Sequence, residues 1–103
     1  MSQSTYNLTM RLRAPKLAQA RVTGAHAQAE ELEIDLCDRI YSNVVGGPID
    51  DGLLVGLSAG GHITLDVDCH AETERAAVHV VLEALMTAVP EAELLEIVTE
   101  PDT

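Results

Sequence analysis

The stretch Leu53–Cys69, LLVGLSAGGHITLDVDC, decides how this chain folds. Two β-prone runs flank Ala59-Gly60-Gly61, and paired glycines supply the positive φ angles that a tight hairpin turn needs. The second run alternates. Ile63, Leu65, Val67 and Cys69 face one way, and Thr64, Asp66 and Asp68 the other. Period two over seven residues marks a strand with one buried face. The reading of the whole chain works outward from this hairpin.

Upstream, Tyr6, Leu8, Met10 and Leu12 alternate with Asn7, Thr9, Arg11 and Arg13, which predicts a first strand. Ala14-Pro15 ends it, because proline breaks a ladder but suits the first turn of a helix. Ala18, Val22, Ala25, Ala29, Leu32, Leu36, Ile40 and Val44 then recur at three or four positions, a helical stripe. Gly24 inside it costs about 1 kcal/mol and marks a place for a kink or break. Glu31–Leu36 also alternates with period two, so a strand competes there; the Ala/Gln/Glu-rich approach favours helix. Glu33 falls on the apolar side of that helix. Gly46-Gly47-Pro48 stops the helix, and Ile49–Gly52 reads as a short acidic loop.

Downstream, AETERAAVHVVLEALMTAV (71–89) predicts a second helix closed by Pro90, and Glu93–Thr99 a last strand. The expected fold is α+β, a ferredoxin-like βαββαβ chain: a four-stranded antiparallel sheet in order 4-1-3-2 with two helices on one face. Length suits one domain, 1–103, with residues 1–4 and 100–103 as flexible ends.

Composition narrows the function. The net charge is −11 and uneven: residues 1–29 hold Arg11, Arg13, Lys16 and Arg21 and no acid, whereas all 17 acids and only Arg39 and Arg75 follow. Such a surface repels phosphate backbones and anionic lipid, so neither nucleic acid nor membrane is an expected partner. An RNA-binding sheet would need aromatic side chains on its central strands, where Asn7, Thr9, Arg11, Thr64, Asp66 and Asp68 stand. No apolar run is long enough to span a bilayer, and the first residues have no signal-peptide pattern. Cys37 and Cys69 lack CxxC spacing, which predicts two buried thiols in a reducing cytoplasm.

Chemistry-bearing clusters are sparse. Arg11 and Arg13 against Asp66 and Asp68 on neighbouring strands predict register-setting ion pairs rather than tuned catalytic carboxylates. His26, His62, His70 and His79 have neither i, i+4 nor CxxC spacing with one another or the cysteines, so no metal ligand set is expected. Gly46-Gly47 and Gly60-Gly61 read as turns, not phosphate cradles. With no catalytic set and no cofactor expected, the chain reads as a small, acidic, non-catalytic protein-binding module, of inhibitor or immunity type, acting on a basic or nucleic-acid-binding partner. Glu30, Glu31, Asp35 and Asp38 are the candidate partner-binding residues. The alternatives are an ACT-like small-molecule-sensing dimer and, behind it, a small dimeric α+β enzyme. Leu82 and Met86 flank the polar stripe of the second helix and are the candidate interface of a homodimer.

Overall fold

The computed structural model describes residues 3–50, 52–58 and 60–101. In chain order these form β1 (Ser4–Arg13), α1 (Pro15–Thr23), α2 (His26–Asn43), β2 (Leu54–Leu57), β3 (His62–Ala71), α3 (Glu74–Ala88) and β4 (Glu93–Pro101). The four strands make one antiparallel sheet in order β2-β3-β1-β4, with β1 and β3 central. The α+β class and the strand order match the expectation from sequence.

The helix count does not. The stripe from Ala18 to Val44 is two helices, because Gly24 adopts the left-handed conformation (φ 75°) and caps α1. Its N–H and that of Ala25 turn back onto the carbonyls of the last turn, Ala25 to Ala20 at 2.9 Å, a glycine-terminated helix end. Residues 30–38 are helical throughout. Glu33, the misfit on the apolar side of α2, is half-buried because it faces α1 and ion-pairs with Arg21.

The alternating residues define the layers. Leu8, Met10 and Leu12 of β1 and Ile63, Leu65, Val67 and Cys69 of β3 are buried against Leu17, Leu36, Ile40, Val81 and Leu85 from the helices. No polar or charged residue is buried among the described residues. Thr73 caps α3 with its hydroxyl, which accepts from the Ala76 N–H at 3.1 Å.

Three details depart from expectation. Ser4 lies in β1 opposite Ala71, and Glu100 and Pro101 lie in β4 opposite Asn7 and Tyr6, so these end residues are paired strand rather than loose ends. Residues 1, 2, 102 and 103 of the expected flexible ends lie outside the described residues. The acidic loop before the hairpin is partly structured. Ile49 is buried and bridges Cys69, and the His70 N–H donates to the Pro48 carbonyl at 2.7 Å. Asp51 of that loop is outside the described residues. The hairpin itself closes through the Ser58 N–H donating to the His62 carbonyl at 3.0 Å. Only Gly61 of the glycine pair carries a positive φ (79°), and Ala59 is outside the described residues.

Candidate functional site

The 3.6-residue period of α2 sorts its outward side chains. Glu30, Glu31 and Asp38 stand four and three residues before and four after Ile34, so all three share its face; all are exposed. Ile34 is 63% exposed and Tyr41, two turns on, 44%. A β-branched hydrocarbon side chain in water, ringed by carboxylates, is unusual for a helix whose opposite side buries Ala29, Leu36 and Ile40. Asp35 is also exposed but turns to Arg39, 3.1 Å away, which also clasps both oxygens of Glu91 (3.0 and 2.7 Å) and donates to the Ala88 carbonyl at 3.3 Å. The four sequence-chosen acids therefore split: three surround Ile34, and Asp35 belongs to the bridge joining α2 to the end of α3.

Beside this face runs a groove of about 270 Å³ lined by Glu33, Ile34, Cys37, Asp38 and Leu57, between α2 and the β2 edge. Tyr41 spans the same seam, its hydroxyl donating to the Leu53 carbonyl at 3.2 Å. Cys37 is half-buried here, not fully buried as its helical phase suggested, whereas Cys69 is completely buried. Burial and then the Asp38 charge push the Cys37 thiol up from its ordinary pKa; burial and then Asp50 do the same for Cys69.

The open face of the sheet overturns the expected ion pairs. Antiparallel direction places Asn7 opposite Asp68 and Thr9 opposite Asp66, while Arg11 and Arg13 face Thr64 and His62 at the other end of β3. The Asn7 amide donates to Asp66 (2.7 Å) and Asp68 (3.0 Å). The arginines pair instead across β4, Arg11 with Glu96 at 3.3 Å and Arg13 with Glu93 at 3.7 Å.

Sequence reasoning missed one polar row. His70 Nε2 lies 2.7 Å from Asp50 Oδ1, and its Nδ1 lies 2.9 Å from the Thr5 hydroxyl. A neutral imidazole with its proton on Nε2 satisfies both contacts, donating to Asp50 and accepting from Thr5. Only the bridge of residues 48–50 to β3 brings Asp50 to His70, and no spacing in the sequence signals it. The row fastens that segment to the sheet. Among the described residues, no group of three or more His, Cys, Asp or Glu side chains is placed to hold a metal ion.

Leu82 and Met86 are not the exposed patch expected of them. Both are partly buried and pack on the core, so they stand in water less than their helical phase suggests. The large apolar side chains left in water are elsewhere: Ile34 and Tyr41 on α2, Val22 on α1, Leu54 on β2, and Leu94, Leu95 and Val98 on β4.

The chain matches no protein-family model and no curated protein. Among solved structures it is similar to the C-terminal domain of the MgtC protein from Mycobacterium tuberculosis, at 15% sequence identity and a TM-score of 0.44, over 97% of this chain and 88% of that one. Neither fold family nor function is carried over from that likeness. No helix among the described residues is long and apolar enough to cross a membrane.

Proposed function

We propose that this is a non-catalytic protein-binding module of ferredoxin-like plan, with the first crossover helix broken in two, that acts on a basic protein in the manner of a small inhibitor or immunity protein. The observation that carries the reading is Ile34, 63% exposed at the centre of Glu30, Glu31 and Asp38. An apolar anchor inside a charged rim is how binding hot spots are commonly built. The charge balance supports a cationic partner. Arg11, Arg13, Arg21 and Arg39 are each engaged by carboxylates of the chain itself, so the charge left facing outward on α2 is negative. A nucleic-acid-binding protein is one source of such a partner, its basic surface meeting carboxylates in place of phosphates. The two unpaired cysteines support a reducing, cytoplasmic setting.

The test is affinity capture from the native host, with the retained protein then titrated purified. Binding is expected to weaken steeply with salt and to fall about tenfold or more when Glu30, Glu31 and Asp38 are reversed to lysine. Asp35→Lys should matter less, since Asp35 turns to Arg39 and away from the Ile34 face. Affinity indifferent to both salt and the triple reversal would refute the acidic-face interface.

A further inference from the structure

We infer that the partner presents an extended, basic segment that adds to the sheet as a fifth strand along β2, seating an apolar side chain in the groove under α2. The inference rests on the protein-binding reading above and specifies its mode. Exposed sheet edges are normally guarded by charges, proline or bulges, because their unpaired main chain recruits other strands. The β4 edge is guarded in all three ways: it carries Glu93, Glu96 and Glu100, ends at Pro101, and is bulged opposite Arg11 and Leu12. The β2 edge, Leu-Val-Gly-Leu, carries none of these devices, and Leu54 is 66% exposed.

The unpaired main-chain groups of β2 can be assigned. Ser58 donates inward to His62, so by the alternation of an antiparallel ladder Gly56 and Leu54 also bond inward. The N–H and C=O groups of Val55 and Leu57 then point outward. Gly56 adds a second indication. Its φ is not positive, and a Cβ there would sit in ordinary contact, 3.8 Å from Thr64. Nothing in the fold demands glycine, which weakens a strand, and a strand glycine often marks the close approach of another backbone.

The groove supplies the side-chain pocket, since Leu57 of β2 lines it together with Ile34 and Cys37 of α2. Strand addition takes its affinity from main-chain bonds and its selectivity from alternate side chains. Two residues along, the next side chain on this face meets the α2 acids. Asp38 and Glu30 make no ion pair among the described residues, so lysine or arginine complements them.

The probe is a short labelled peptide with threonine at every second position and valine and lysine alternating between, measured against the intact domain at low salt. Its N-methylated version, blocked on one backbone edge at a time, is the control. Strand addition expects saturable binding, at least about tenfold weaker for one N-methylated edge, and about tenfold weaker again for Asp38→Lys. It expects slowed amide exchange at Val55 and Leu57, and slower alkylation of Cys37 with peptide bound. Salt-sensitive binding that ignores N-methylation and leaves those amides unchanged would overturn strand addition and leave the acidic-face reading standing. A probe that fails to bind at all would also overturn it, while the capture experiment above tests the acidic face independently.

Discussion

Of the glycines, Gly61 is held in the tightest surroundings. A methyl group there would lie 2.5 Å from the Ala18 Cα, 2.6 Å from its nitrogen and 2.8 Å from its Cβ, and the backbone at Gly61 has φ 79°. Ala18 sits in the first turns of α1, whose start is tied to the hairpin by the Ala14 N–H donating to the Gly61 carbonyl at 3.1 Å. Gly61→Ala therefore incurs two costs. Left-handed backbone costs an alanine about 1–2 kcal/mol, and overlap with a helix backbone that cannot rotate aside adds about 1–3 kcal/mol. The expected loss is about 2–5 kcal/mol from a total of roughly 5–15 kcal/mol for a domain of this size. Two controls separate the terms. Gly47 has φ 57° with open space around it, so Gly47→Ala should cost only the backbone term, about 1–2 kcal/mol. Gly60 has ordinary contacts and no positive φ, so Gly60→Ala should be neutral or stabilising by about 0.5 kcal/mol. With no tryptophan and two tyrosines, the assay is urea unfolding followed by far-ultraviolet circular dichroism. A Gly61→Ala midpoint equal to that of Gly47→Ala would refute the close approach of the hairpin to α1.

Arg39 hydrogen bonds hold the Glu91 carboxyl below its ordinary range, with burial opposing. Its contribution to stability is therefore present above the unfolded glutamate pKa of about 4.3 and is lost as pH falls through the lower folded value. Because the Glu91 side chain is 42% exposed, Glu91→Gln should cost only about 0.5–1 kcal/mol at neutral pH and flatten the acid limb of the stability curve; an unchanged limb would contradict the bridge. Cys69 should resist thiol reagents in the native state, whereas Cys37 should react slowly; equal rates would misplace one of them. Leu82→Glu with Met86→Glu is expected to destabilise the fold, since both side chains pack on the core. A fully stable, dissociated monomer from that double variant would instead assign a homodimer interface to α3.

What the sequence disclosed follows a physical division. β1, β3 and α3 are legible because each buries one face in the common core, and the burial period is written directly in Tyr6–Leu12, Ile63–Cys69 and Ala77–Ala88. The break at Gly24 was visible as a weak point, but whether a glycine is tolerated or turns left-handed depends on what its neighbours pack against. Pairing across strands was misjudged for a similar reason. Residue types name which charges attract, whereas chain direction sets which positions meet, so Arg11 found Glu96 rather than Asp66. The acids around Ile34 were chosen from sequence; the apolar centre and the groove beside them were not, because both arise where α2 meets an edge strand distant in the chain. The His70 row depends on the loop of residues 48–50 docking on β3, which leaves no pattern in the residues.

The placement of β1 at the centre of the sheet has a consequence for how the molecule assembles. Its partners are Val67 opposite Leu8 on one side and Thr99 opposite the same residue on the other. Both ladders join residues far apart in the chain, so loop-closure entropy must be met before either returns any stability, and topologies of this kind fold slowly. Of the four strands β1 is made first, and it stays amphipathic and unpaired until β3 has followed on one edge and β4 on the other. Nascent-chain occupancy by chaperones should accordingly be concentrated on residues 4–13, and should fall as β3 and then β4 become available to pair with them.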